Sequence, residues 1–205
     1  LHLSIRRQRQ MCIRDSILSI RPAVAYGGVG DYPLQRLGHE VWPVHTANLS
    51  NPTSYGAWRG PIIPAEDVRE VIAGINDRGA LKDVDVVLSG DIGSDLVDVV
   101  VDTVAQVKEL NPDAVYCCGA VTDSKLAAVA DVAAVSMEEL ESALGPSTIL
   151  AMSENEMIAV VGEKKWSAPL KHERDDAFAL FVGHYVESWD ASVALEKMQF
   201  EVEAL

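Results

Sequence analysis

The sequence predicts an α/β protein with three layers, a central and mostly parallel sheet held between helices. Three observations predict it. Short β-rich runs alternate with helical stretches along most of the chain. Several of those runs end in glycine or in a polar loop, the pattern of a strand that hands over to a helix. The 205 residues, 48% hydrophobic and 23% charged, suffice for one sizeable core.

The elements follow in order. SILSI (16–20) is a first strand, and PLQRLG (33–38) ends a helix at Gly38. EVWPVHT (40–46) is a second strand, followed by the loop NLSNPTSYGAWRG (48–60). Residues 65–79 place Val68, Val71, Ile72 and Ile75 at helical spacing. VDVVLSG (84–90) is a strand. The run 94–112 is the clearest helix, with Leu96, Val100, Val104 and Val107 on one face and Pro112 as its stop.

DAVYCCG (113–119) is the next strand, and its adjacent Cys117 and Cys118 should point to opposite faces. Residues 125–145 read as a weaker helical segment. Ser136 and Glu139 there have the spacing of a capping box. STILAMS (147–153) and EMIAVVG (156–162) pair as a hairpin, and two helices, 175–188 and 190–205, close the chain.

Charge narrows the partners. Against 17 basic residues stand 31 acidic ones, a net charge of −14, which repels nucleic acid and anionic membrane. No apolar run reaches transmembrane length. The three cysteines, Cys12, Cys117 and Cys118, make neither a disulfide framework nor a zinc site, and a reducing cytoplasm fits them. Residues 1–15 are basic where the remainder is acidic. They read as a tail outside the fold, or as a basic targeting arm, which leaves 16–205 as one domain.

In such an architecture ligands bind beyond the carboxyl ends of the strands. The loops at 21–31, 46–60, 89–95, 119–124 and 171–176 are therefore the candidate site. AYGGVGD (25–31) either lets a ligand approach the backbone or is a plain tight turn. Thr46, Ser50, Asn51, Thr53 and Tyr55 can orient a small polar aromatic ligand, or simply hold a surface loop together. Trp42 and Trp58 read as packing groups, with stacking on a ligand as the alternative at Trp58, and His184 as a packing histidine. Asp91 and Asp123 stand at strand ends, and a carboxylate at Asp123 suits magnesium. Asp175 opens a helix, either as a general base or as a carboxylate favoured by free N–H groups. Beside it, Arg174 can attract phosphate.

Taken together, SIRPAVAYGGVG, YPLQRLGHEVWPVHTANLSNPTSYGAWRG, VVLSGDIGS, VKELNPDAVYCCGAVTD, GPSTILAMS and DDAFALFVGHY resemble pyridoxal kinases of the ribokinase-like (PfkB-type) superfamily. The resemblance spans roughly residues 16–196 and is most specific from Pro33 to Gly60. It implies transfer of the γ-phosphate of ATP to the 5′-hydroxyl of pyridoxal and related vitamers, with Mg2+ and a monovalent cation such as K+, in a homodimer. It also implies roles for particular residues. Asp175 would be the base, and Thr46, with Ser50 and Tyr55, would face the vitamin. Asp123, Ser153 and Arg174 would lie on the nucleotide side, with Asp123 at the metal.

The chain departs from the family pattern in places. Pro22 and Ala23 stand where a serine–histidine pair is expected, and His172-Glu173-Arg174 replaces glycines ahead of Asp175. A strand–helix unit between Asp123 and Ser136 is expected to be missing. A catalytically inactive homologue that binds a vitamer or a partner is the alternative reading.

Overall fold

The computed structural model describes residues 15–27, 30–140, 146–170 and 174–200, with the side chains of Asp175, Gln199 and Phe200 outside the description. The expected tail, residues 1–14 of it, and residues 171–173 lie outside the described residues.

Eight strands form one sheet in the order β2-β1-β3-β4-β5-β6-β7-β8. They are β1 (Ser16–Val24), β2 (Glu40–Leu49), β3 (Val86–Ser89), β4 (Val115–Cys118), β5 (Val132–Ser136), β6 (Thr148–Met152), β7 (Glu156–Val161) and β8 (Lys164–Pro169). Pairing is parallel from β2 through β6 and antiparallel from β6 to β8. The helices are α1 (Tyr32–Arg36), α2 (Ala65–Asp77), α3 (Val97–Leu110), α4 (Ser124–Val129), α5 (Arg174–Ser188) and α6 (Ala191–Phe200).

Side-chain alternation along the strands divides the core into two layers. On one face Ile17, Leu88, Cys117, Leu150 and Met157 pack against α1, α5 and α6. On the other Leu18, Ile20, Val87, Tyr116 and Cys118 pack against α2, α3 and α4. Cys117 and Cys118 do point to opposite faces, and both are fully buried. His184 is buried within α5, as a packing histidine should be.

Two sequence expectations need correction. Among the described residues of 125–145 the helical reading holds for α4 alone, because VAAVS (132–136) is a strand; residues 141–145 lie outside the described residues. Its Val132 pairs with Cys117 of β4 and with Thr148 of β6, so it lies inside the sheet and is buried on both faces. A short apolar run of this kind carries no periodicity that separates helix from strand. The expected hairpin forms, with Met152 opposite Met157, but β8 extends it. The turn into β8 is made by Gly162, whose φ of +57° favours glycine.

The outer edge of β2 is closed by its own following loop. Ile63 donates to the Thr46 carbonyl (2.9 Å), Asn48 to the Pro61 carbonyl (2.9 Å) and Ser50 to the Arg59 carbonyl (2.7 Å). This occupies backbone groups that an open sheet edge would expose. Pro43 is tolerated in β2 because edge strands can spare a donor.

Candidate active site

The carboxyl ends of β1 to β6 open onto one cavity of about 740 Å3. All five loop regions expected to carry the site contribute described residues to its wall, among them Gly27, Thr46, Asp91, Gly119 and Arg174. One end, built by the loops after β1 and β2, carries Thr46, Tyr55 and Trp58. Thr46 is buried at 3% exposure, while Tyr55 stands at the rim at 57%. Trp58 lines the cavity as well, and Trp42 instead donates to Glu40 Oε1 (2.9 Å) outside it.

The other end is built by the loops after β3, β4 and β5 and by the start of α5. Gly119 leaves room there, since a Cβ at this position would lie 2.9 Å from the Ser89 carbonyl oxygen and 3.2 Å from the Phe178 ring. The capping box after β5 is made. Ser136 donates from its backbone N–H (2.9 Å) and its Oγ (2.8 Å) to Glu139 Oε2, and both residues line the cavity. Those donors hold the Glu139 carboxyl below its ordinary pKa, the backbone N–H of Ser136 first.

The expected site residues separate into two groups. Thr46, Tyr55 and Arg174 line the cavity. Arg174 is also tied to the Val135 carbonyl through Nη2 (3.4 Å). Ser50, Asp123 and Ser153 are not among the lining residues. Ser50 Oγ donates to Asn51 Oδ1 (2.7 Å) and accepts from the Arg59 N–H (2.9 Å), bracing the loop. Asp123 caps α4, accepting from the Lys125 N–H, while its neighbour Thr122 reaches the cavity. Ser153 Oγ accepts from the Asn155 and Glu156 N–H groups in the β6–β7 turn.

Asp175 occupies the second position of α5 and its side chain lies outside the described residues. The next residue, Asp176, is a buried carboxylate (8% exposed) on the cavity wall. Sequence reasoning missed Asp176 and Glu139. The apolar run after Asp176 marks the helix start only to within a residue or two, and reading β5 as helix hid the loop that carries Glu139. Among the described residues no group of three or more His, Cys, Asp or Glu side chains could by itself hold a metal ion. Magnesium does not require one, since one or two carboxylates with phosphate oxygens and water suffice. Glu139 and Asp176 are hard oxygen donors of that kind on the cavity wall.

Solved structures share this architecture. A pyridoxal kinase from Leishmania donovani, in complex with ADP and pyridoxamine, superposes with a TM-score of 0.76 over 93% of this chain and 88% of that one, at 23% identity. The pyridoxal kinase from Trypanosoma brucei superposes with a TM-score of 0.75 over 93% and 88%, at 19% identity. The doubly covered sheet, with one cavity across its strand ends, is the ribokinase-like fold.

The sequence is 38% identical over 240 residues to the pyridoxal kinase PdxY of Corynebacterium diphtheriae, covering 89% of this chain and 85% of the relative. It is 40% identical over 239 residues to the PdxY of Leifsonia xyli, covering 88% and 84%. The chain belongs to the pyridoxal kinase family. Since 89% of 205 residues is fewer than the 240 aligned, the relative carries internal residues that this chain lacks. No protein-family model matches the chain. Family membership implies dependence on ATP and magnesium. Among the described residues no helix is long and apolar enough to cross a membrane.

Proposed function

We propose that this chain transfers the γ-phosphate of ATP to the 5′-hydroxyl of pyridoxal and related vitamin B6 vitamers, in salvage of pyridoxal 5′-phosphate. The observation that carries the reading is the two-ended cavity. Thr46, Tyr55 and Trp58 form an aromatic and hydroxylic end suited to a pyridine ring, and Asp176 and Glu139 stand on the wall of the other.

Phosphoryl transfer depends mainly on positioning and electrostatic stabilisation. The Thr46 hydroxyl orients the ring. A carboxylate at the start of α5 takes the proton of the 5′-hydroxyl as it attacks. Asp176, buried on the cavity wall, is the carboxylate assigned to that role, and Asp175, which the family resemblance maps there, is the alternative. Arg174, beside it, offsets charge on the phosphates. Magnesium, when bound with ATP, would neutralise phosphate charge, and Glu139 on the cavity wall would help to hold it.

The reading extends to features that rest on the family alone. It includes stimulation by K+, a homodimeric assembly and a cytoplasmic setting, which two buried thiols suit. It treats residues 16–205 as one kinase domain, internally shortened.

The test is formation of pyridoxal 5′-phosphate from pyridoxal with ATP, Mg2+ and K+. Wild-type turnover that falls at least a hundredfold in Asp176→Asn and much less in Asp175→Asn supports the assignment. The reverse order moves the base to Asp175. The short β4–β5 crossover, whose helix α4 has six residues, favours a second reading as a homologue that binds a vitamer without turning it over. Vitamer binding by the folded protein without product would support that reading.

A further inference from the structure

Asp31 is the N-cap residue of α1, yet its carboxylate makes no capping hydrogen bond. An aspartate there ordinarily accepts from the free N–H groups of the first turn. Here Oδ1 instead accepts from the Oγ of the fully buried Ser19 at 2.6 Å. The same oxygen lies 3.8 Å from Arg21 Nε, in an ion pair that leaves 11% of each side chain exposed. Arg21 Nη2 donates to the Gly30 carbonyl at 2.7 Å. Ser19 and Arg21 stand two residues apart on β1 and so share one face of the strand. Together they hold both the carbonyl and the carboxylate that precede α1.

This network touches the ring end of the cavity through its neighbours. Gly27 and Gly30, in the segment between β1 and α1, line the cavity. Tyr55 closes over Gly27, where a Cβ would lie 2.8 Å from the Tyr55 hydroxyl. Beside Arg21 the β1–β2 register slips. Arg21 pairs with His45 and Ala23 with Asn48, so Pro22 alone faces both Thr46 and Ala47. A bulge of this kind re-aims the side chains beside it. On the other side the base of Arg21 is seated against β3, since a Cβ at Gly90 would lie 2.9 Å from Arg21 Cβ. In so enclosed an ion pair, removing one partner leaves the other charge uncompensated, which costs more than removing both.

We propose that Arg21 and Asp31 are positioning residues for the vitamer. Joined by Ser19, they hold Gly27, Gly30, Tyr55 and Thr46 in the arrangement that receives the ring, and act through those residues without touching the ligand. The inference rests on the vitamin B6 kinase reading. A wall ordered in advance spares the ligand the entropy of ordering it, so the effect falls on vitamer binding rather than on phosphoryl transfer.

The test measures kcat and KM for pyridoxal and for ATP, with Kd for pyridoxal by calorimetry, in wild type, Ser19→Ala, Arg21→Gln, Asp31→Asn and the variant carrying both Arg21→Gln and Asp31→Asn. Arg21→Gln and Asp31→Asn should each raise KM and Kd for pyridoxal about tenfold, while KM for ATP stays within about twofold and kcat falls less than about threefold. The double variant should bind no worse than Arg21→Gln alone, because the two residues act as one unit. Arg21→Lys, which keeps a donor and the charge, should recover most of the affinity. A purely structural lesion lowers the active fraction, and with it kcat, while KM and Kd stay where they were; that pattern would overturn the proposal. Losses that add in the double variant would also overturn it, since they mark two independent contacts with the ligand. Should Arg21→Gln fail to fold, Ser19→Ala, which leaves both charges in place, carries the same comparison. If wild type binds pyridoxal without forming product, the kinase reading falls and the Kd values still decide the role of the network. If wild type does not bind pyridoxal, both readings fall.

Discussion

Oδ1 of Asp123 accepts a 2.7 Å hydrogen bond from the backbone N–H of Lys125. That bond fixes the first turn of α4, a helix of only six residues. Asp123→Ala should therefore cost about 1 kcal/mol in denaturant unfolding, the usual worth of an N-cap. Asp123→Asn retains the cap geometry and removes the charge. Its magnesium requirement for turnover should match wild type within twofold, and a strongly raised requirement would restore Asp123 as a metal ligand.

Gly60 has a φ of +134°, and a Cβ added there would overlap the Asn48 carbonyl oxygen. Gly60→Ala should destabilise the protein by about 2 kcal/mol or more, because the strain and the overlap fall on one residue. It should also release the 59–63 segment from the β2 edge. Hydrogen exchange at the Asn48 and Ser50 amides, which donate into that segment, would report the release.

Ser50 should act through the same loop. Ser50→Ala removes a donor to Asn51 and an acceptor for the Arg59 N–H. A loss of about 1 kcal/mol in stability is expected, with KM for pyridoxal rising more than kcat falls. A severe drop in kcat alone would indicate direct contact with the substrate.

Asp15 offers a test by pH. Burial, then the nearby Asp85 and Glu187 carboxylates, push its pKa up to about 6. His39 Nδ1 is 3.8 Å away, too far for a hydrogen bond, and burial lowers that imidazole's affinity for protons. It therefore does little to keep Asp15 ionised. A carboxyl with a raised folded pKa adds stability below its unfolded value near 4, and that stability is lost as pH rises through 6. Asp15→Asn should stabilise the protein at pH 7.5 by about 1–2 kcal/mol, allowing for partial exposure. The gain should vanish below pH 4. A gain that is constant across this range in thermal melts would rule out the carboxylate as its source.

Cys117 and Cys118 should be inert. Burial raises the pKa of both thiols, and neither reaches solvent. In a Cys12→Ser background, a thiol reagent should modify neither cysteine in the native state and both in denaturant. Rapid native labelling would show that β4 opens.

Much of the fold was legible in local pattern. The strands at 16–20, 84–90 and 113–119 and the helix at 94–112 announce themselves by apolar runs, by spacing, and by glycine or proline at their ends. The parallel order placed the cavity loops correctly, since ligands gather at strand ends whatever the side chains. Thr46, Tyr55 and Arg174 were legible as members of the wall because they sit in those loops.

What tertiary structure decided is equally specific. VAAVS is a strand because β4 and β6 flank it and bury both faces; its short apolar run alone carries no periodicity that separates helix from strand. KKWSAP becomes β8 because β7 offers an edge to pair with. The hydroxyls of Ser50 and Ser153 and the carboxylate of Asp123 turn inward to backbone N–H groups, while Asp176 faces the cavity, and no spacing rule separates those fates. The sequence alone determined which residue types could do the chemistry and which loops would carry them. Only the packed chain decided which of those groups serve the backbone and which line the cavity, because the choice depends on neighbours brought together from distant parts of the chain.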